Sequence, residues 1–184
     1  VSIPTGEIAK VEGTPMDFRA PQRVDSRIND PFEQLKFGAG YDHCYVLNKR
    51  EAGTLSFAAK CVEPESGRSM EVYTTEPGVQ VYTSNWHNGF EGAHGATFPA
   101  RSAICFEAQH FPDTPNKGHF PSCVLHPGET YSQVTIYKFG VDLNASDEEV
   151  KAMLAERVDD TFRNKLKIGF LAWCYGRGKP SFTR

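Results

Sequence analysis

Along residues 1–140 the apolar positions fall in short runs of β-branched and aromatic residues separated by turn formers, and none of them sustains a period of 3.6. Strands are predicted at 45–47, 54–62, 69–75, 79–83, 103–109 and 131–139. Many antiparallel strands at this spacing define a mainly β chain, a sandwich or a barrel. Pro77-Gly78 reads as a tight turn between two of these strands, with Pro presetting φ at the second turn position and Gly taking a positive φ at the third. After Gly140 the texture changes. Ser146 and Glu149 have the spacing of a capping box, and Val150, Met153, Leu154 and Val158 follow at helical intervals, so an amphipathic helix is predicted over about 147–162. Beyond it a short apolar run, 168–175, lies between basic flanks.

Composition narrows the class. With 184 residues, 39% hydrophobic and 23% charged, the chain reads as one globular domain or a subunit. A formal net charge of -3 gives no overall attraction to nucleic acid, and no nucleic-acid partner is expected. That charge is unevenly spread, because residues 161–184 hold six basic and no acidic side chains and leave -9 on residues 1–160. The five cysteines, at 44, 61, 105, 123 and 174, are widely spaced and never form C-x-x-C, which fits a reducing compartment better than a disulfide framework. The start at Val1, without Met, a signal-peptide core or an Arg-rich leader, reads as a cut.

Three polar positions carry candidate chemistry. Strand alternation in 103–109 puts Glu107 on one face with Cys105 and Gln109, and Ile104, Phe106 and Ala108 on the other. Glu107 is then either a carboxylate facing water on a half-exposed strand or, if desolvated, a general base with a raised pKa. Asp42, in Gly40-Tyr41-Asp42-His43, can accept hydrogen bonds from ligand hydroxyls or orient His43; an Asx-type turn explains it equally. Gln80 shares a face with Tyr82, and an amide beside an aromatic ring suits a sugar, as it also suits a solvent-facing strand position. The histidines at 43, 87, 94, 110, 119 and 126 show no zinc-ligand spacing, so no metal is expected. Phosphate-cradling, dinucleotide and serine-elbow motifs are also lacking.

Several segments in register resemble the C-terminal half of the aldose 1-epimerase (galactose mutarotase) family. They are Ile3-Pro4-Thr5-Gly6-Glu7-Ile8, Thr14-Pro15-Met16-Asp17-Phe18-Arg19, Gly40-Tyr41-Asp42-His43, the run from Val72 through Glu76-Pro77-Gly78-Val79-Gln80 to Tyr82, Phe106-Glu107-Ala108-Gln109 with Phe111-Pro112-Asp113, and Leu125-His126-Pro127-Gly128-Glu129. The resemblance covers about residues 1–141 and implies part of a large antiparallel β-sandwich, leaving 142–184 as a helix plus a basic-aromatic extension. It also implies that Glu107 is the general base acting on the anomeric hydroxyl, that Asp42 and Gln80 bind the sugar, and that no cofactor is needed.

In the family the general acid is a histidine in an Asn-His-Tyr-Phe type segment, and none of the six histidines here has that context. The expected partners are therefore an aldohexose and a complementing N-terminal chain or larger assembly. A catalytically inactive accessory subunit is the alternative. Residues 163–184 are expected to dock on an acidic protein surface or on anionic lipid headgroups. A cytoplasmic location is expected, with an organellar complex as the alternative.

Overall fold

The computed structural model describes residues 3–64, 66–141, 171–173 and 181–183. Its strands are β1 Ile8–Lys10, β2 Gln22–Arg23, β3 Asp42–Val46, β4 Ser56–Val62, β5 Arg68–Thr74, β6 Gly78–Tyr82, β7 Asn88–Glu91, β8 Thr97–Pro99, β9 Cys105–Gln109, β10 Thr135–Val141, β11 Leu171–Trp173 and β12 Ser181–Thr183. A short helix, α1 Glu33–Gly38, precedes β3. One sheet has the order β1-β12-β3-β6-β9 and a second the order β10-β5-β4-β11-β2, while β7 and β8 form a separate hairpin. All pairings are antiparallel.

The two sheets share one core, because every strand of the central pairs turns alternate residues inward. Tyr45 from β3, Val79 and Val81 from β6 and Phe106 from β9 meet Ala58, Ala59 and Cys61 from β4 and Val72 from β5 in a single buried cluster. Ala58 and Ala59 are adjacent in sequence yet both buried, which the register shift between Phe57 and Ala59 makes possible: a bulge turns two neighbours to the same side. The Tyr137 hydroxyl donates to the Phe106 carbonyl at 3.0 Å and so ties the edge strand of the second sheet to β9 of the first.

All six predicted strands exist, with shifted ends. Strand β10 starts at Thr135 rather than at 131, and β3 begins three residues before the predicted run, at Asp42. Strands β1 and β2, helix α1 and the β7–β8 hairpin were not predicted. They are two to six residues long, too short for a period to register. The Pro77-Gly78 expectation needs a correction. The bend covers 75–77, and Gly78 is already the first residue of β6, outside the positive-φ glycines. Its missing side chain serves packing instead, since a Cβ there would sit 3.0 Å from Cys44 Sγ and from the Phe111 ring.

The helix predicted over 147–162 lies outside the described residues, as does most of 163–184. Of that last segment, β11 pairs with β4 and β2, and β12 pairs with β1 and β3.

Candidate active site

The register of β3, β6 and β9 builds a small grid of side chains on the face turned away from the core. Asp42 lies opposite Tyr82 and Tyr82 opposite Cys105; Cys44 lies opposite Gln80 and Gln80 opposite Glu107; Val46 lies opposite Gly78 and Gly78 opposite Gln109. The predicted alternation of Cys105, Glu107 and Gln109 holds, and Gln80 shares its face with Tyr82 as expected. Residues 38 positions apart then meet directly, since the Gln80 Nε2 amide donates to Asp42 Oδ1 at 2.6 Å. This contact replaces the Asx-turn reading of Asp42, whose carboxylate is engaged across the sheet.

Asp42, Gln80, Tyr82, Glu107, Gln109 and Pro112 line an open cleft of about 330 Å³. That size lies near the lower end of the usual ligand-pocket range, roughly 300–1,000 Å³. Two carboxylates, two amides and a phenol supply both donors and acceptors, the inventory needed to read a ring of hydroxyl groups. The Gln80 Oε1 atom is buried with no hydrogen-bond partner among the described residues. Glu107 is exposed, so the desolvation considered for it from its place in a strand is not supplied by these residues.

His43 belongs to the opposite face. Its Nδ1 accepts the Asp42 backbone N–H at 3.0 Å, so the imidazole is linked to Asp42 through the main chain and not through the carboxylate. Burial pushes the His43 pKa down to about 4 against a smaller opposing pull from the Asp42 charge, which keeps the ring neutral near pH 7. No histidine lines the cleft among the described residues.

Behind the cleft a buried network holds the strand ends. The Tyr41 carbonyl accepts from the Thr83 N–H at 3.0 Å, the Thr83 hydroxyl at 3.1 Å and Asn85 Nδ2 at 2.9 Å, and Asn85 Nδ2 also donates to the Gly38 carbonyl at 2.8 Å. Gly40, at φ +144, lies so close to the Asn85 amide that a Cβ there would collide with it. Sequence reasoning passed over Gln109, Pro112 and this network. Gln109 was legible as a third member of the alternating row, whereas the network joins loops far apart in sequence.

A larger cavity of about 880 Å³ lies elsewhere, between the end of β3 with the loop after it, the 75–77 bend and the 121–134 segment. It contains none of Asp42, Gln80 or Glu107. Its polar centre is the buried Glu76, whose carboxylate sits 2.7 Å from His110 Nδ1 and accepts from the Tyr131 hydroxyl at 3.2 Å. The Glu76 Oε1 is engaged by Tyr131, while Oε2 is buried beside His110 without a hydrogen bond among the described residues, and none of the three predicted site residues reaches this cavity.

The two-layer antiparallel arrangement, with a polar cleft on one sheet, defines a β-sandwich. The fold has a solved counterpart: an aldose epimerase homologue from C. elegans superimposes with a TM-score of 0.63 at 26% identity, over 76% of this chain and 41% of that one. The family model for aldose 1-epimerase matches residues 1–138, and the chain belongs to that family. It is 42% identical over 140 residues to galactose mutarotase of Mus musculus, covering 76% of this chain and 39% of the relative. It is 32% identical over 139 residues to aldose 1-epimerase of Escherichia coli K12, covering 74% of this chain and 40% of the relative. The chain thus spans about 40% of the length of these curated relatives.

Proposed function

We propose that this chain contributes the general base and the sugar-binding groups of an aldose 1-epimerase that interconverts the α and β anomers of an aldohexose. The observation carrying this reading is the meeting of Asp42, Gln80 and Glu107 in one cleft of a chain that belongs to the family. Glu107 removes the proton from the anomeric hydroxyl; the C1–O5 bond breaks as the C1 carbonyl forms, and O5 takes up a proton from an acid. Rotation about C1–C2 and reclosure, with the protons returned, give the other anomer. Asp42 and Gln80 hold hydroxyls of the ring meanwhile, Asp42 fixed by the Gln80 amide and by the buried network at Tyr41.

The acid is supplied from outside the described cleft, by a complementing N-terminal part. Two features support such a part: the match covers only about 40% of the relatives, and among the described residues β10 forms an edge of its sheet with Ile136, Phe139 and Val141 exposed. An unpaired apolar edge of this kind favours association. Residues 1–141 form most of the sandwich unit in this reading, while 171–173 and 181–183 supply the interior strands β11 and β12 of its two sheets, so the part after 141 is not merely an extension.

The test is mutarotation by the complemented protein, followed polarimetrically. Glu107→Gln keeps the shape but cannot accept the proton, and kcat is expected to fall by roughly 10²–10⁴ with a smaller change in sugar affinity. Wild-type turnover in that variant would remove Glu107 from the mechanism. Sugar binding without turnover in every assembly containing the unaltered chain would favour the accessory-subunit reading.

A further inference from the structure

The cleft offers many groups to hydroxyls and a single aromatic ring, that of Tyr82, to C–H groups. A pyranose ring carries its hydroxyls around the edge and hydrogens bonded to carbon on its faces, and the faces are best matched by a flat apolar surface. Of the cleft-lining residues, Asp42, Gln80, Glu107 and Gln109 are polar, Tyr82 carries a hydroxyl, and Pro112 alone is wholly apolar.

Next to this cleft, Trp86 is 63% exposed, although its backbone is held firmly. Its N–H donates to the Tyr82 hydroxyl at 3.2 Å, so the indole hangs from a main-chain atom adjoining a cleft residue. The preceding turn is over-determined. Ser84 adopts φ +52, a left-handed conformation that is unfavourable for a non-glycine residue. Its carbonyl accepts from the Arg101 N–H at 2.9 Å, and Asn85 is locked by the Thr83 hydroxyl at 2.7 Å and by its own bonds to the Gly38 and Tyr41 carbonyls. The same Tyr41 carbonyl network holds the residue preceding Asp42. A strained, buried and fully bonded turn thus presents a large indole to water, an arrangement that gains little from folding and suits a ligand.

We infer that Trp86 is a sugar-positioning residue: its indole provides the apolar platform on which the C–H face of an aldopyranose stacks while the hydroxyl edge is read by Asp42, Gln80 and Glu107. This deepens the sugar-site reading above and rests on it. Trp86 contributes affinity and orientation and transfers no proton.

The test uses the 184-residue chain labelled with 5-fluorotryptophan, assembled with its unlabelled complementing part and titrated with D-galactose. Two fluorine resonances are expected, from Trp86 and Trp173, and Trp86→Phe assigns them. The Trp86 resonance is expected to shift on saturation while the Trp173 resonance stays in place. By ligand-observed NMR, Trp86→Ala is expected to weaken galactose binding about three- to tenfold, the range of one aromatic contact, with Trp86→Phe retaining most of the affinity. The melting temperature of Trp86→Ala should be unchanged, because the indole is exposed. If that variant proves unstable, the fluorine shift in the unaltered chain decides. Galactose binding with a stationary Trp86 resonance, or with equal affinity in a folded Trp86→Ala, overturns the platform and leaves the sugar site standing. Absence of galactose binding to the complemented protein overturns both.

Discussion

Asp42, Gln80 and Glu107 stand on one face of β3, β6 and β9; His43, Val81 and Phe106, each one residue away, stand on the other. The same three strands therefore carry two regions with opposite physics. On the inner face Val81 and Phe106 are 2% and 4% exposed, and the second sheet lies over them. On the outer face polar groups surround an open cleft. The comparison teaches that what sits opposite a strand, more than the strand itself, sets whether a carboxylate or an imidazole is desolvated. His43 is pushed to neutrality by the core, whereas Glu107 stands exposed.

The largest expected effect is on the inner face. Phe106→Ala removes a buried ring that no neighbour can replace and should destabilise the chain by about 3–5 kcal/mol. Glu107→Gln, one residue away, should change stability by less than about 0.5 kcal/mol, as exposed substitutions do. Urea unfolding of the two variants side by side checks this, and comparable losses would mean that the two faces are not as different as their burial indicates.

Next in size is a pH effect from His43. Its folded-state pKa lies near 4, below the ordinary value of 6.5, so the unfolded chain takes up the proton first as pH falls. Stability from keeping the ring neutral is complete above about pH 6.5 and is lost progressively down to about pH 4, a loss on the order of 3 kcal/mol. Denaturant midpoints measured across this window should fall in the unaltered protein and flatten in His43→Asn, whose side-chain oxygen can still accept the Asp42 N–H. An unchanged slope in that variant would assign the acid sensitivity to other groups.

A smaller effect sharpens the packing boundary between the faces. Gly78 belongs to the outer row, yet it is buried against Cys44 and Phe111, and Gly78→Ala should cost about 1–3 kcal/mol through crowding. Thermal unfolding that matched the unaltered chain would show that the Phe111 ring moves aside freely.

The sequence by itself carried the alternation. Because side chains on a strand point to opposite sides in turn, the run from Ile104 to Gln109 was enough to separate Glu107 from Phe106, and the run from Val79 to Tyr82 to put Gln80 on one face with Tyr82. The family motifs added roles for Asp42, Gln80 and Glu107 that alternation alone leaves open. Only the tertiary structure decided which strands are neighbours and in what register. Gln80 reaches Asp42 because β6 pairs with β3 residue against residue, and a slip by one would turn Gln80 into the core. The same holds for His43, whose bond runs to the backbone of Asp42, for Gly78, whose need is space and not a positive φ, and for Trp86, whose turn is held by Gly38 and Tyr41. These are contacts between positions distant along the chain. Local pattern is written by propensity and period, whereas long-range pairing is chosen by the burial of the whole sheet, which no short window of sequence contains.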